Sequence, residues 1–189
     1  MELLKDRIKK EGMTAGGVLR VDSFLNHQID VSLLNEIGKE FKRIFSDASV
    51  DKILTIEASG IGVACIAAQY FSVPVLFAKK SASLNIGDDV YHTQVDSFTK
   101  GISYDIIVGK RFLNEGENVL IIDDFLAQGN ALLGLASLVS DAGANLVGCG
   151  ICVEKAFQDG GKIIRDMGIR VESLVKISSM HGDEIIFAD

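Results

Sequence analysis

The chain has 189 residues, about the size of one domain, and its 48% apolar and 24% charged content with a single proline, Pro74, describes a folded globular protein and not a disordered one. A formal net charge of −7 and a pI near 5.0 argue against a nucleic-acid or anionic-membrane surface, both of which need clustered positive charge. No apolar run approaches membrane-spanning length; the N-terminus MELLKDRIKKEG lacks the apolar core of an export signal, and three cysteines, an odd number, suit a reduced cytoplasmic setting.

Residues 2–11 read as a short charged helix, and Val18 to Phe24 as an extended piece leading to Asn26 and His27. This part, up to about residue 46, reads as an appendage to a single domain spanning residues 1–189. Asp30 is placed to cap a helix whose Leu34, Ile37, Phe41, Ile44 and Phe45 recur at helical spacing. Lys52 to Ala58 is a short apolar strand, followed by Ser59, Gly60 and a helix through about Phe71; Pro74 to Lys80 is the next strand. The polar stretch 81–101 interrupts the alternation and suits a mobile loop or a short hairpin. Asn118 to Asp124 is a third strand, leading through a turn to a helix with Leu132, Leu135, Ala136 and Val139 on one face, stopped near Gly143. Asn145 to Val153 is a fourth, Gly160 and Gly161 read as a loop before the last helix, and Val171 to Ile177 is a further strand. Continuously apolar strands separated by helices predict an α/β fold, a parallel sheet flanked by helices. In such sheets ligands bind beyond the carboxyl ends of the strands.

The segment VLIIDDFLAQGNALLGL puts two adjacent carboxylates, Asp123 and Asp124, at the exit of a buried strand. Ala127, Gln128, Gly129, Asn130 and Ala131 then form a tight turn into a helix, where backbone N–H groups and the helix dipole hold a phosphate. Gly129 permits the left-handed backbone that the turn requires. Carboxylates for sugar hydroxyls beside a phosphate cradle describe a ribose 5-phosphate site. Helix-capping or solvated loop acids would be the plain structural alternative.

The stretch resembles the phosphoribosyl pyrophosphate (PRPP) motif of the type I phosphoribosyltransferases, with Asn130 and Ala131 where the commonest form has glycine and threonine. That resemblance implies their fold, with a small hood formed largely by the N-terminal segment. It also implies a homodimer, and Mg²⁺ carried by PRPP's own oxygens with no metal ligated directly by the protein. The turn Glu57 to Gly60 resembles the family's pyrophosphate loop, giving Ser59 and Gly60 that role, and Lys80 matches the basic strand end that meets pyrophosphate, often across the dimer interface. Glu154 to Phe157 resembles the purine-reading segment of 6-oxopurine transferases, with Lys155 donating to a ring oxygen and Phe157 stacking on the base. Val18 to Asp30 resembles the N-terminal segment of bacterial xanthine phosphoribosyltransferases, a likeness that extends over nearly the whole chain and matches Leu19 and Asn26 to xanthine contacts. The implied reaction converts xanthine and PRPP to xanthosine 5'-monophosphate and pyrophosphate, as purine salvage. Alternatives are a guanine or hypoxanthine transferase and a non-catalytic PRPP-sensing regulator. Adenine fits worst, because its amine would face the donor Lys155, and a regulator would need a DNA-binding domain where only about 46 residues precede the first sheet strand.

Cys149 and Cys152 spell CxxC, but their odd separation along a strand directs them to opposite faces. His27, His92 and His181 lack ligand spacing.

Overall fold

The computed structural model describes residues 1–15, 18–80, 89–97, 102–182 and 184–188. Helix α1 (Glu2–Glu11) precedes a two-stranded antiparallel hairpin of β1 (Met13–Ala15) and β2 (Val18–Arg20), then one wide helical turn at Asp22–Asn26. The segment read as extended over Val18 to Phe24 is therefore strand only as far as Arg20. The turn follows because Phe24 and Leu25 fold inward and become fully buried.

Helix α2 (Val31–Ile44) starts where Asp30 accepts a hydrogen bond from the Leu33 amide at 3.0 Å, the capping geometry expected from the sequence. The alternating units follow: β3 (Lys52–Ile56), α3 (Gly60–Phe71), β4 (Val75–Lys80), β5 (Val90–Ser97), β6 (Ile102–Gly109), β7 (Asn118–Leu126), α4 (Asn130–Asp141), β8 (Asn145–Lys155), α5 (Gly160–Asp166), β9 (Val171–His181) and β10 (Glu184–Phe187). One sheet runs in the order β10-β9-β8-β7-β3-β4-β6-β5. The inner strands β9, β8, β7, β3 and β4 are parallel, whereas β10, β6 and β5 pair antiparallel at the two edges.

Of residues 81–101, read as a mobile loop or a short hairpin, Val90–Ser97 form a strand whose partner, Ile102–Gly109, lies beyond that segment and was not expected; residues 81–88 and 98–101 lie outside the described ones. Other boundaries shift for local reasons. Strand β7 continues two residues past the aspartates, and Gly160 and Gly161 open α5 instead of lying in a loop.

Period-two alternation in β7 feeds two cores. Leu120 and Ile122 join α2 and α3 on one face, and Val119 and Ile121 join α4 on the other. Phe41 of α2 is fully buried, and a side chain at Gly150 of β8 would start 2.9 Å from its ring. This close seat fixes α2, and with it the N-terminal segment, against the sheet. Phe41→Ala should lower unfolding free energy by about 3–5 kcal/mol in urea titration; a loss below about 1 kcal/mol would mean that the seat carries little of the packing.

Candidate active site

Asp123 keeps the parity of Val119 and Ile121, and Asp124 that of Leu120 and Ile122, so the two carboxylates serve different neighbours. Both are buried, at 7% and 5% exposure. Asp124 accepts from the Ser59 hydroxyl and from the Asn26 side-chain amide, each at 3.0 Å. Asp123 accepts from the Asp124 backbone amide at 2.9 Å. Burial, and then the neighbouring Asp124 carboxylate, push the Asp123 carboxyl well above the ordinary range, with the Lys80 ammonium acting weakly in the opposite sense.

Beyond the strand, the Ala127–Gly129 turn enters α4 through Gly129 at φ 88°, the left-handed conformation that favours glycine. A pocket of about 220 Å³ opens here, lined by Asp123, the whole turn from Ala127 to Ala131, and Lys155. The Asn130 side-chain amide donates to the Asp96 carbonyl at 2.9 Å, tying the turn to the β5–β6 hairpin. Asp96, Tyr104 and Gln158 also line this pocket, and sequence reasoning missed all three. Asp96 and Tyr104 belong to the edge hairpin, whose packing against β4 and α4 leaves no local signal. Gln158 stands one residue beyond the segment singled out for Lys155 and Phe157, and its amide oxygen is buried without a hydrogen-bond partner.

Glu57 to Gly60 lies at the head of β3, and the Glu57–Ala58 peptide is cis. Gly60 is needed for space, since a Cβ there would stand 2.2 Å from the Thr55 hydroxyl and 2.5 Å from an Asp123 oxygen. Ser59 and Gly60 are thus brought to the two aspartates. Lys80 lies with its ammonium 5.4 Å from the centre of the Tyr104 ring, at the edge of the same site. Burial of Tyr104, followed by the Asp123 charge, raises its phenol pKa.

Of the residues matched to the base, Lys155 alone lines the pocket. Its ammonium lies 5.8 Å from the Phe125 ring centre, and burial lowers its pKa. Asn26 reaches the site through Asp124, Leu19 is packed in the core at 5% exposure, and Phe157 points outward at 44% exposure. A larger cleft of about 490 Å³ between α1 and the start of α2 holds none of these groups. Among the described residues no set of three or more His, Cys, Asp or Glu side chains is gathered as a metal cage. Cys149 and Cys152 fall in the two opposite cores, and burial pushes the Cys149 thiol up to about 12. No helix of the described residues is long and apolar enough to cross a membrane.

Buried Asp123, a glycine-held turn of backbone amides and a half-buried lysine thus line one cavity, with Asp124 next in the strand. The phosphoribosyl transferase domain family matches residues 23–169. The chain belongs to that family. Within the phosphoribosyltransferases, it is 60% identical over 185 residues to the xanthine phosphoribosyltransferase of Lachnoclostridium phytofermentans, covering 97% of this chain and 95% of the relative. It is 58% identical over 190 residues to that of Ruminiclostridium cellulolyticum, covering 100% of both. The APRTase of Giardia lamblia complexed with 9-deazaadenine superposes with a TM-score of 0.79 at 22% identity, over 94% of this chain and 98% of that one, a likeness of fold.

The raised Asp123 carboxyl has a measurable consequence in the free protein. A carboxyl whose folded pKa exceeds its unfolded value holds its proton more tightly in the native state, so its contribution is complete below the ordinary value of 3.8 and is lost as pH climbs through the raised value. Asp123→Asn keeps the acceptor oxygen but cannot ionise. Its stability relative to the parent, measured by urea unfolding at a series of pH values, should therefore increase from pH 4 upward; a difference that stays flat, or falls, would contradict the assigned burial cost.

Proposed function

We propose that this phosphoribosyltransferase joins xanthine to the ribose 5-phosphate of PRPP, releasing pyrophosphate and forming xanthosine 5'-monophosphate. The observation that carries the proposal is the sharing of one cavity by Asp123, the Ala127–Ala131 turn and Lys155. The near-full-length identity to xanthine phosphoribosyltransferases supports the choice of base.

In the proposed reaction a purine ring nitrogen attacks C1 of the ribose as the C1–oxygen bond to pyrophosphate breaks. The bonding pair leaves with the diphosphate, and the sugar passes through oxocarbenium character. The amides of Ala127 to Ala131 hold the 5'-phosphate and so fix where C1 lies, and fixed placement of the reactants accounts for much of the rate. Asp123 and Asp124 orient the sugar hydroxyls and stabilise the positive charge at C1. Positive charge nearby lowers a carboxyl's pKa, so the developing cation itself favours the ionised form of Asp123 that burial disfavours. Ser59 and Gly60 offer close approach to the diphosphate, and Lys80 offers it a positive charge, given or received across a homodimer. Lys155 donates to a carbonyl oxygen of the base, through N–H groups that an ammonium and a neutral amine both carry. Stacking on the ring would require the outward Phe157 side chain to turn in, and Leu19, packed in the core, supports the N-terminal segment from which Asn26 reaches the site.

Two adjacent carboxylates are too few for a dedicated divalent cage but suit an ion that arrives on diphosphate and hydroxyl oxygens. Mg²⁺ arriving on PRPP's own oxygens, with no direct ligand from the protein, would neutralise the leaving diphosphate, while Asp123 and Asp124 face the sugar hydroxyls beside it. A cytoplasmic single-domain enzyme is the setting proposed for this chemistry.

One contact favours a second reading. The Asn26 amide already donates to Asp124, and an amide engaged there discriminates less at the purine C2 position, which would admit guanine or hypoxanthine. Incubating the protein with PRPP, Mg²⁺ and each purine separately, and following nucleotide and pyrophosphate formation, distinguishes the two. Xanthine should be the fastest acceptor and adenine the slowest. Guanine or hypoxanthine outrunning xanthine would install the second reading, and no turnover with any purine would defeat both. Asp124→Asn should lower kcat by roughly 10²–10³ while shifting the melting temperature by only a few degrees; near-parental kcat in the folded variant would remove Asp124 from catalysis.

A further inference from the structure

Helix α5 meets the Ala127–Gly129 turn from below, and the fit leaves no room for a side chain. A Cβ on Gly160 would lie 2.3 Å from the Ala127 carbonyl oxygen, 2.4 Å from the Gln128 carbonyl carbon and 2.6 Å from the Gly129 amide nitrogen. Each of these is main chain, so nothing could swing aside. The packing is reciprocal: a Cβ on Gly129 would lie 3.1 Å from the Gly160 Cα and 3.1 Å from the Cδ1 of the buried Ile164, one helical turn further along α5. Gly160 and Ile164 together form a floor on which Gly129 rests in its left-handed conformation.

The floor is itself held in place. Arg165 of α5 donates two hydrogen bonds of 2.7 Å to the buried Glu154 carboxylate, which also accepts from the Ser173 hydroxyl at 2.5 Å. Gly161 lets Glu154 approach, since a Cβ there would stand 2.0 Å from its oxygen. A charge-assisted pair of this geometry, partly buried and bidentate, is directional as well as strong. Glu154 immediately precedes Lys155 in β8. The seven residues of α5 therefore brace the turn on one side of the cavity and are pinned to the strand that carries the lysine on the other.

We propose that Gly160 and Ile164 are positioning residues for the sugar-phosphate half of the site: they set the height and curvature of the Ala127–Ala131 turn, and so the affinity for the 5'-phosphate, without touching the ligand. The inference rests on the assignment of that turn to a ribose phosphate. A shift of the turn by a fraction of an ångström would misalign several amide donors together, whereas a general loss of stability would weaken both substrates alike.

The test compares Gly160→Ala and Ile164→Val with Ile163→Val, a change at the 44% exposed neighbour on the same helix. Ribose 5-phosphate binding is measured by calorimetry on each folded protein, alongside KM for PRPP and for xanthine. Gly160→Ala should weaken ribose 5-phosphate about tenfold or more. Ile164→Val, which removes one methyl group and preserves the fold, should weaken it about threefold and raise KM for PRPP in step. The xanthine KM should stay within about twofold, and Ile163→Val should change nothing. If Gly160→Ala does not fold, Ile164→Val alone decides. Parental affinity in Ile164→Val, or equal loss for both substrates, overturns the inference and leaves the turn's assignment intact. Failure of the parent protein to bind ribose 5-phosphate overturns the assignment itself.

Discussion

Two carboxylates side by side in a buried strand are expensive to desolvate, and the structure around Asp123 and Asp124 is organised by that cost. Asp124 receives Ser59 from the head of α3 and Asn26 from the N-terminal segment. Asp123 has one backbone amide and the space left by Gly60, and burial keeps its carboxyl prone to hold a proton. The arrangement is stable because the sheet beneath is apolar on both faces and rigid, with Val119 to Ile122 fully buried between two cores. A site whose cost is offset by its scaffold is available to bind polar groups that the scaffold leaves unsatisfied.

From that pair, three chain segments distant in sequence are drawn to one end of the sheet. The N-terminal segment comes through Asn26, the β3–α3 turn through Ser59 and Gly60, and the β8–α5 segment through Lys155 and the glycine floor beneath Gly129. Each contributes a different chemical property: an amide, a close backbone approach and a half-buried cation. The parallel topology explains why the last two meet, since every parallel strand delivers its following loop to the same edge, and the N-terminal segment is added to them through the Asn26 to Asp124 hydrogen bond.

Much of this was legible in the sequence because the signals are local. Continuous apolar strands, the Asp30 cap, the order of strand, acids, turn and helix, and the requirement for Gly129 each depend on neighbours within a few residues. What escaped depends on distant packing. Strand β6 carries the fully buried Ile106, yet its partner β5 is largely polar, with Val95 buried, so the hairpin gave little apolar alternation to read. Gly160 and Gly161 look like any loop pair until the turn and Glu154 are seen pressed against them. Asn26 was matched to the base through resemblance, whereas its observed partner, Asp124, is 98 residues away. Leu19 and Phe157 show the converse, since residue type alone could not say that one would be packed in the core and the other turned outward.

The central claim is that one end of this sheet holds a ribose phosphate, with the sugar on Asp123 and Asp124 and the phosphate on the amides of Ala127 to Ala131. A crystal structure of the protein soaked with ribose 5-phosphate tests it most directly. The account predicts the phosphate within hydrogen-bond distance of those amides and the sugar hydroxyls on the two carboxylates. A phosphate bound elsewhere on the chain, with this pocket holding only water, would contradict it.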